Sequence, residues 1–275
     1  MIKLTPTERA IREGLEGFTL LPLKEAQDRI RPFRVAQGFV ESTTPVILTA
    51  PDDSYKLNKS ETPTYSVSLA QHRLAGFNVC PSSTPACRRV CVADSGKGNL
   101  SSVKRGRIWR TRALRADPVA FVSLLIHEVD RAVRKLDGRQ LAVRLNAFSD
   151  VRWEVVAPFL FDRWTLGLVQ FYDYTKIVGR SVPANYHLTM SVTERMTESE
   201  VTDLYTDVPV AVIFGTLRGR ALPKFYAGRP VHDADSDDER FNDPVGSISG
   251  LRAKGHLLIG DVKRGEVGDS KFVKA

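Results

Sequence analysis

The sequence predicts an α/β fold in which mostly parallel strands form a partial, TIM-like (β/α)6 barrel with an N-terminal extension. Three observations predict this fold. From residue 64 onward, short β-rich runs alternate with helical segments, as they do in parallel sheets. Several of these runs alternate apolar with polar residues, which suits strands that face helices on one side and a polar-lined cavity on the other. The 275 residues, 42% of them hydrophobic, are enough for one sizeable core.

Residues 1–63 are predicted to be the N-terminal extension, packed on a main domain of residues 64–275 that contains the barrel. The pattern of the extension is irregular, with candidate helices near residues 7–15 and 23–30. Because a chain of this length usually forms one large core, we expect one domain rather than two small ones.

The strands of the main domain are predicted from six β-rich runs: TYSVSLA, QLAVRLNAF, LGLVQFYDYT, NYHLTMSVTE, VPVAVIFG and GSISGLRAKG. In the second run, Arg144 and Asn146 alternate with Val143 and Leu145. A half-exposed antiparallel sheet would show the same alternation, but the helical segments between the runs favour the barrel.

Two long helices are predicted between the first two strands. Ser101 or Ser102 can cap the first, which ends before Pro118. The second keeps apolar residues at helical spacing until Gly138 stops it. Shorter helices are predicted from DVRWEVVAPFLFDRW and TERMTESEVTDLYTD, which lie between later strands.

The chain is basic, with 40 Lys and Arg residues against 32 Asp and Glu residues and a formal net charge of +8. Such a balance favours polyanionic partners. Six cations lie between residues 104 and 115 on the first long helix, where they occupy most of its faces. A contact with nucleic acid, a contact with a cofactor and a solvated surface are the alternatives. The candidate nucleic-acid residues are Arg105, Arg107, Arg110 and Arg112.

The N-terminal residues mix charged with apolar side chains and lack the continuous apolar segment of a signal peptide. No run approaches the roughly 18 apolar residues of a membrane span. We therefore expect a soluble cytoplasmic protein without a membrane partner, in which thiols stay reduced.

All three cysteines, Cys80, Cys87 and Cys91, lie in one loop after the first predicted strand, with the spacing C-x6-C-x3-C. In a reducing compartment such a group indicates metal binding or catalysis before it indicates disulfides. Three thiolates can hold a [4Fe-4S] cluster and leave one iron open. A zinc site would need a fourth ligand, either a histidine such as His72 or a carboxylate. Structural thiols are the third alternative. The neighbouring cations Arg88, Arg89 and Lys97 could offset the charge of thiolates.

Polar residues at the ends of the predicted strands are the candidate cofactor-binding residues, because loops after parallel strands build active sites. Helix N-capping explains Ser149 and Asp150 equally well. A further acidic stretch, VHDADSDDERFND, comes later in the chain. The candidate residues are Asn146, Ser149, Asp150, Asp173, Lys176, Ser191 and Glu194.

The order of strand, cysteine loop and helices resembles the radical S-adenosylmethionine (radical SAM) superfamily over roughly residues 64–255. The resemblance implies a three-cysteine [4Fe-4S] cluster in the loop after strand one and S-adenosylmethionine as a further cofactor. The chain departs from the superfamily in its cysteine spacing, which is typically C-x3-C-x2-C there. It also has LNAFSD where a glycine-rich motif would follow the second strand.

The chain also resembles the phage gene product 88 family. The stretches that indicate it are SLAQHRLAGFNVCPSSTPACRRVC, VRLNAFSDVRWE, VQFYDYTK, YHLTMSVTE, VHDADSDDERFND and GLRAKG. This likeness implies an actinobacteriophage protein made in the host cytoplasm and does not supply a reaction. The leading expectation is therefore a phage iron–sulfur protein. The alternatives are a zinc-stabilised nucleic-acid-binding protein and a phage protein that binds a host protein through a fold with a structural cluster.

Overall fold

The strands form one open, mostly parallel sheet in this computed structural model, which describes residues 3–53, 60–164, 167–204, 208–268 and 272–275. Their order across the sheet is β1-β2-β3-β4-β5-β6-β9-β8-β7. The bounds are β1 Leu48–Thr49, β2 Thr64–Val67, β3 Leu141–Arg144, β4 Val169–Thr175, β5 Tyr186–Ser191, β6 Val210–Phe214, β7 Phe225–Tyr226, β8 Arg229–Asp233 and β9 Ile248–Arg252.

The pairing of the strands decides the fold class. Within the described ranges, β1 with β2 and β7 with β8 are antiparallel, and the other six pairings are parallel. The predicted α/β class with mostly parallel strands is confirmed. The TIM-like barrel is not confirmed, because β1 and β7 stand at opposite edges and the sheet does not close. The β7–β8 hairpin extends the sheet beyond β9 instead of returning it to β2.

The helices of the described residues lie between and beside these strands. Their bounds are α1 Pro6–Gly14, α2 Leu23–Val35, α3 Pro85–Arg89, α4 Ser101–Ala116, α5 Pro118–Leu136, α6 Trp153–Val156, α7 Glu198–Leu204 and α8 Gly255–Lys263. In the part of the chain that is described, none of them has the length and apolar character needed to cross a membrane.

The helix ends follow from local chemistry. Thr5 and Glu8 form a reciprocal capping box at the start of α1, with Pro6 at the first helical position. The side chain of Asp117 accepts a hydrogen bond from the Ala120 amide and caps α5. The same residue ends α4, so the predicted boundary before Pro118 is confirmed. The predicted cap by Ser101 or Ser102 is wrong, because both serines lie inside α4 and its N-cap residue, Leu100, has no side chain that can accept a hydrogen bond. At the other end of α5, Asp137 takes a left-handed conformation, with φ 49°, just before Gly138.

The largest core lies between the first strands and the N-terminal helices. It unites Ile11 of α1, Ile30 of α2 and Ile47 with α5 and the apolar faces of β2, β3 and β4. The apolar stripe of α5 faces this core, with Leu124 and Leu125 buried. The N-terminal helices therefore share one core with the sheet.

Polar side chains on the other side of the strands form hydrogen bonds and a cation–π contact. Arg144 of β3 and Tyr172 of β4 both donate hydrogen bonds to the buried Asp238, at 3.0 and 2.9 Å. The Arg144 guanidinium also stacks on the Tyr174 ring, 4.9 Å from its centroid. The strands therefore alternate polar with apolar residues as predicted, and Arg144 and Tyr174 on their polar side line a large cavity.

Candidate functional site

A cavity of about 2120 Å³ lies at the carboxyl ends of the parallel strands. Residues that end or follow β3, β4, β5 and β9 line it, among them Asn146, Lys176, Ser191 and Lys254. In open α/β sheets, ligands bind outside the carboxyl ends of the strands. The cavity is larger than the ~300–1,000 Å³ that holds a typical small ligand, so it has room for more than one bound group.

All three cysteines open into this cavity. The loop that holds them is shaped by short polar contacts. The Asn78 side chain accepts a hydrogen bond from the Cys80 amide at 2.9 Å. Thr84 caps α3 by accepting one from the Cys87 amide at 3.1 Å. Cys91 directly precedes a one-turn 3-10 helix of Val92–Asp94. None of the thiols forms a disulfide.

The thiols share one electrostatic environment. Burial raises the pKa of Cys80 to about 12, and its neighbours Asp150, Cys91 and Cys87 add to the shift. Burial also raises the pKa of Cys91. The Cys80 sulfur accepts a hydrogen bond from the His72 amide at 3.2 Å and donates one to the Phe148 carbonyl at 3.3 Å. Cys80 is therefore a neutral thiol near pH 7, and a metal must displace its proton.

This environment predicts an order of alkylation. Cys80 should react with iodoacetamide most slowly of the three cysteines, because the thiolate is the nucleophile. Its rate should rise about tenfold per pH unit up to its pKa. Pulse labelling followed by mass spectrometry measures the rates, with the urea-unfolded chain as the control in which the three should converge. Equal labelling of Cys80 and Cys87 in the folded chain at pH 7.5 would contradict the assignment.

His72, the candidate fourth ligand, also lines the cavity. Its pKa is lowered by burial and by the neighbouring charges of Arg88 and Arg73. The imidazole is therefore neutral near pH 7, which is the form that binds metals. Within the described ranges, however, no three His, Cys, Asp or Glu side chains are arranged to hold a metal ion.

Five of the seven predicted strand-end residues line the cavity. They are Asn146, Ser149, Asp150, Lys176 and Ser191. Ser149 donates a hydrogen bond to the Asn146 side chain at 2.8 Å. Asp150 accepts hydrogen bonds from the Thr175 hydroxyl and the Lys176 amide, both at 2.8 Å. Part of this group therefore holds the loop after β3 against the end of β4.

Asp173 and Glu194 do not line the cavity, but both form hydrogen bonds to residues next to it. Asp173 is fully buried and accepts hydrogen bonds from the Asn146 amide and the Tyr186 hydroxyl, both at 2.7 Å. Burial raises its pKa to about 7. Glu194 accepts a hydrogen bond from the Thr84 hydroxyl at 2.7 Å. Glu194 thereby ties the end of β5 to the start of the helix that contains Cys87.

The arginines of the basic helix α4 bind the chain's own carbonyl groups. Arg105 donates to the Gln37 carbonyl, Arg110 to that of Val46 and Arg112 to that of Ala75. Arg107 is 1% exposed and donates to the carbonyls of Ala93 and Gly98 in the segment after Cys91. These contacts tie the helix to its surroundings. A nucleic-acid contact by these residues stays a prediction.

The cavity wall is strongly cationic. Twelve lysines and arginines line it, against five aspartates. Of these cations, only Arg144, Arg252 and Lys254 form an ion pair with a carboxylate among the described residues. The wall therefore has an excess of uncompensated positive charge, which favours an anionic occupant.

The candidate residues chosen from the sequence did not include three interacting polar residues of the cavity wall: Arg144, Tyr174 and Asp238. The alternating pattern contained a signal for the first two, since both stand on the polar side of their strands. Asp238 lies in the acidic stretch and meets Arg144 across 94 positions of sequence. No local pattern could have paired them.

The family profile described as gene product 88 matches residues 46–273. The match covers every strand and the complete cavity wall except the part contributed by Arg34, Phe39, Thr43 and Thr44. No curated protein matches the chain. No solved structure matches it either.

Proposed function

We propose that this chain, which belongs to the phage gene product 88 family, binds a [4Fe-4S] cluster through Cys80, Cys87 and Cys91. The observation that supports the proposal is that all three cysteines of the chain open into one cavity at the carboxyl ends of the parallel strands. When bound, such a cluster supplies one-electron chemistry and one iron without a cysteine ligand.

The chemistry of the donors fits this group, although the three thiols would have to come closer together, because no three described His, Cys, Asp or Glu side chains are arranged around a metal ion. Thiolates are the soft ligands that iron–sulfur clusters require, and three of them satisfy three irons of a cube. Burial raises the pKa of Cys91, and the charge of the buried Arg107 opposes part of that shift. His72 is a neutral side chain on the same wall and could complete the ligand set.

The proposal also includes a radical-SAM-like fold and S-adenosylmethionine as a second cofactor. β2 to β6 are neighbours in chain order, as they are along one side of a β/α barrel. We therefore interpret the sheet as part of a radical-SAM-like barrel, with S-adenosylmethionine as the ligand of the open iron. Asn146, Ser149, Asp150 and Ser191 offer amide, carboxylate and hydroxyl groups for its ribose and amino group. The reducing cytoplasm of the host is the proposed site of action.

The test is anaerobic reconstitution with iron and sulfide. The wild-type chain should become brown, absorb near about 400 nm and contain roughly four irons and four sulfides per chain. Cys87→Ser should lose most of this absorbance, because it removes one ligand. Ser82→Ala, in the same loop, is the control and should reconstitute like the wild type.

Two outcomes would contradict the proposal. One is stoichiometric zinc with no iron or sulfide in chain purified without oxygen, which would favour the zinc alternative. The other is full reconstitution of the Cys87→Ser variant. Addition of S-adenosylmethionine to the reduced chain then tests the second cofactor, since an unchanged electron paramagnetic resonance signal would remove it and leave the cluster.

A further inference from the structure

A patch of hydrogen-bonding side chains covers the cavity-facing side of four neighbouring strands. Ser66 of β2 pairs in register with Arg144 of β3. Tyr174 of β4 pairs with Thr189 of β5, so Lys176 and Ser191, two residues further on, follow on the same side. All of these except Thr189 line the cavity. We call the set Ser66, Arg144, Tyr174, Lys176 and Ser191 the strand patch.

The strand patch is rich in donors without partners in the described part of the chain. The Arg144 Nε and the Tyr174 hydroxyl are buried and make no hydrogen bond there. The Lys176 ammonium forms no ion pair with any described carboxylate, although its own backbone amide binds Asp150. Buried polar groups are normally hydrogen-bonded, so unpaired donors that face a cavity indicate a ligand that accepts from them.

The charges near the strand patch leave it cationic. Asp238 pairs with Arg144 at 3.0 Å, which neutralises that guanidinium. Asp150, another nearby carboxylate, pairs with Arg180 at 3.2 Å and also interacts with the charge of Lys176, so it offsets Lys176 only in part. The ammonium of Lys176 and the wider cationic wall are therefore left for an anion.

We infer that the strand patch binds the phosphate group of a phosphorylated substrate. Donors from several strands suit the three terminal oxygens of a phosphate better than the two coplanar oxygens of a carboxylate. The Arg144 Nε–H, the Tyr174 hydroxyl and the Lys176 ammonium are the assigned donors, and Ser66 and Ser191 add hydroxyl groups. The remaining volume of the cavity accommodates the rest of the substrate, such as a nucleoside.

This inference is independent of the cluster, because the strand patch contains none of the cysteines. Binding can therefore be measured on the chain purified without iron and on Cys87→Ser. Failure of phosphate binding would leave the cluster proposal intact, and failure of reconstitution would leave the phosphate site intact. Two kinds of ligand could supply this phosphate group: a free nucleotide and the phosphorylated end of a single-stranded nucleic acid.

The experiment is titration calorimetry of the full chain with adenosine monophosphate, adenosine, and a short single-stranded oligonucleotide with or without a 5′-phosphate. We expect adenosine monophosphate to bind at least about tenfold more tightly than adenosine, because charge-assisted hydrogen bonds to the phosphate are lost in adenosine. Tighter binding of the phosphorylated oligonucleotide than of the monophosphate identifies a nucleic-acid end as the source. The reverse order identifies a free nucleotide.

Two variants locate the site. Tyr174→Phe keeps the ring on which Arg144 stacks and removes only the hydroxyl, and Lys176→Met removes only the charge. Each variant should weaken the binding of adenosine monophosphate about tenfold or more. Circular dichroism checks that each variant is folded. Lys263→Met removes a cation elsewhere on the cavity wall that forms no ion pair with a described carboxylate. It should weaken adenosine monophosphate binding less than about threefold, which is at most about half of the effect of Lys176→Met on a logarithmic scale. Equal losses in Lys176→Met and Lys263→Met, or equal binding of adenosine and its monophosphate, would overturn the assignment.

Discussion

Asp238→Asn is expected to lower the free energy of unfolding by about 3–5 kcal/mol, because it leaves a buried guanidinium without its counter-charge. Asp238 is 0% exposed and accepts hydrogen bonds from Arg144 at 3.0 Å and from Tyr172 at 2.9 Å. Both hydrogen bonds go to the same oxygen, Oδ2, so the asparagine can keep them through its amide oxygen and the variant removes mainly the charge. Urea unfolding followed by circular dichroism measures the change in midpoint and slope.

Two further variants test the cause of this loss. Asp28→Asn removes an aspartate from a surface ion pair with Lys24 and should cost about 0–1 kcal/mol. Combining Asp238→Asn with Arg144→Met should recover part of the stability, since the buried charge is then removed together with its partner. An Asp238→Asn variant as stable as Asp28→Asn would show that the pair does not hold β3 to the acidic stretch.

Arg180→Leu is expected to have an effect of similar size, about 3–5 kcal/mol, because Arg180 separates two buried carboxylates. Its side chain is 2% exposed and donates to Glu154 at 2.9 and 2.6 Å and to Asp150 at 3.2 Å. Without the guanidinium, the two acids would face each other in the wall beside the cavity. Thermal or urea unfolding near pH 7.5 measures the loss.

The pH dependence of the Arg180→Leu variant distinguishes electrostatics from lost packing. The pKa of Asp150 is already raised by burial, and Arg180 is one of the groups that oppose the shift. Removing Arg180 raises this pKa further, so the folded variant binds a proton that the unfolded chain releases. Its stability should therefore rise, relative to the wild type, as the pH falls from 7.5 through the raised pKa.

Controls for this prediction lie in the same chain. Arg180→Lys keeps the charge and should recover part of the loss. Arg163→Leu removes a guanidinium from a half-exposed pair with Asp130 and should cost about 0–1 kcal/mol. A loss in Arg180→Leu that does not depend on pH would mean that packing of the side chain, and not its charge, stabilises this wall.

Local pattern was sufficient to predict the strands that build the cavity. All six β-rich runs contain strands, and α5 begins and ends where its capping residues indicated. The end of α4 was also predicted, but its start has no side-chain cap. The hairpin strands β7 and β8 were not predicted, because β7 is only two residues long and β8 includes Pro230, His232 and Asp233, which are untypical of strands. The cavity-lining cysteines were all identified, since three thiols in twelve positions are visible without a structure.

The sequence by itself determined the α/β class, the position of the cysteine loop after the first parallel strand and the polar side of β3 to β5. These depend on side-chain periodicity and capping, which act over a few residues. Only the tertiary structure decided that the sheet stays open, that Asp173 and Glu194 stand behind the wall, and that the α4 arginines bind carbonyl groups of the chain. It also decided which cations keep a carboxylate partner. Such outcomes depend on contacts between residues far apart in sequence, as between Arg144 and Asp238, whose free energy no local pattern contains.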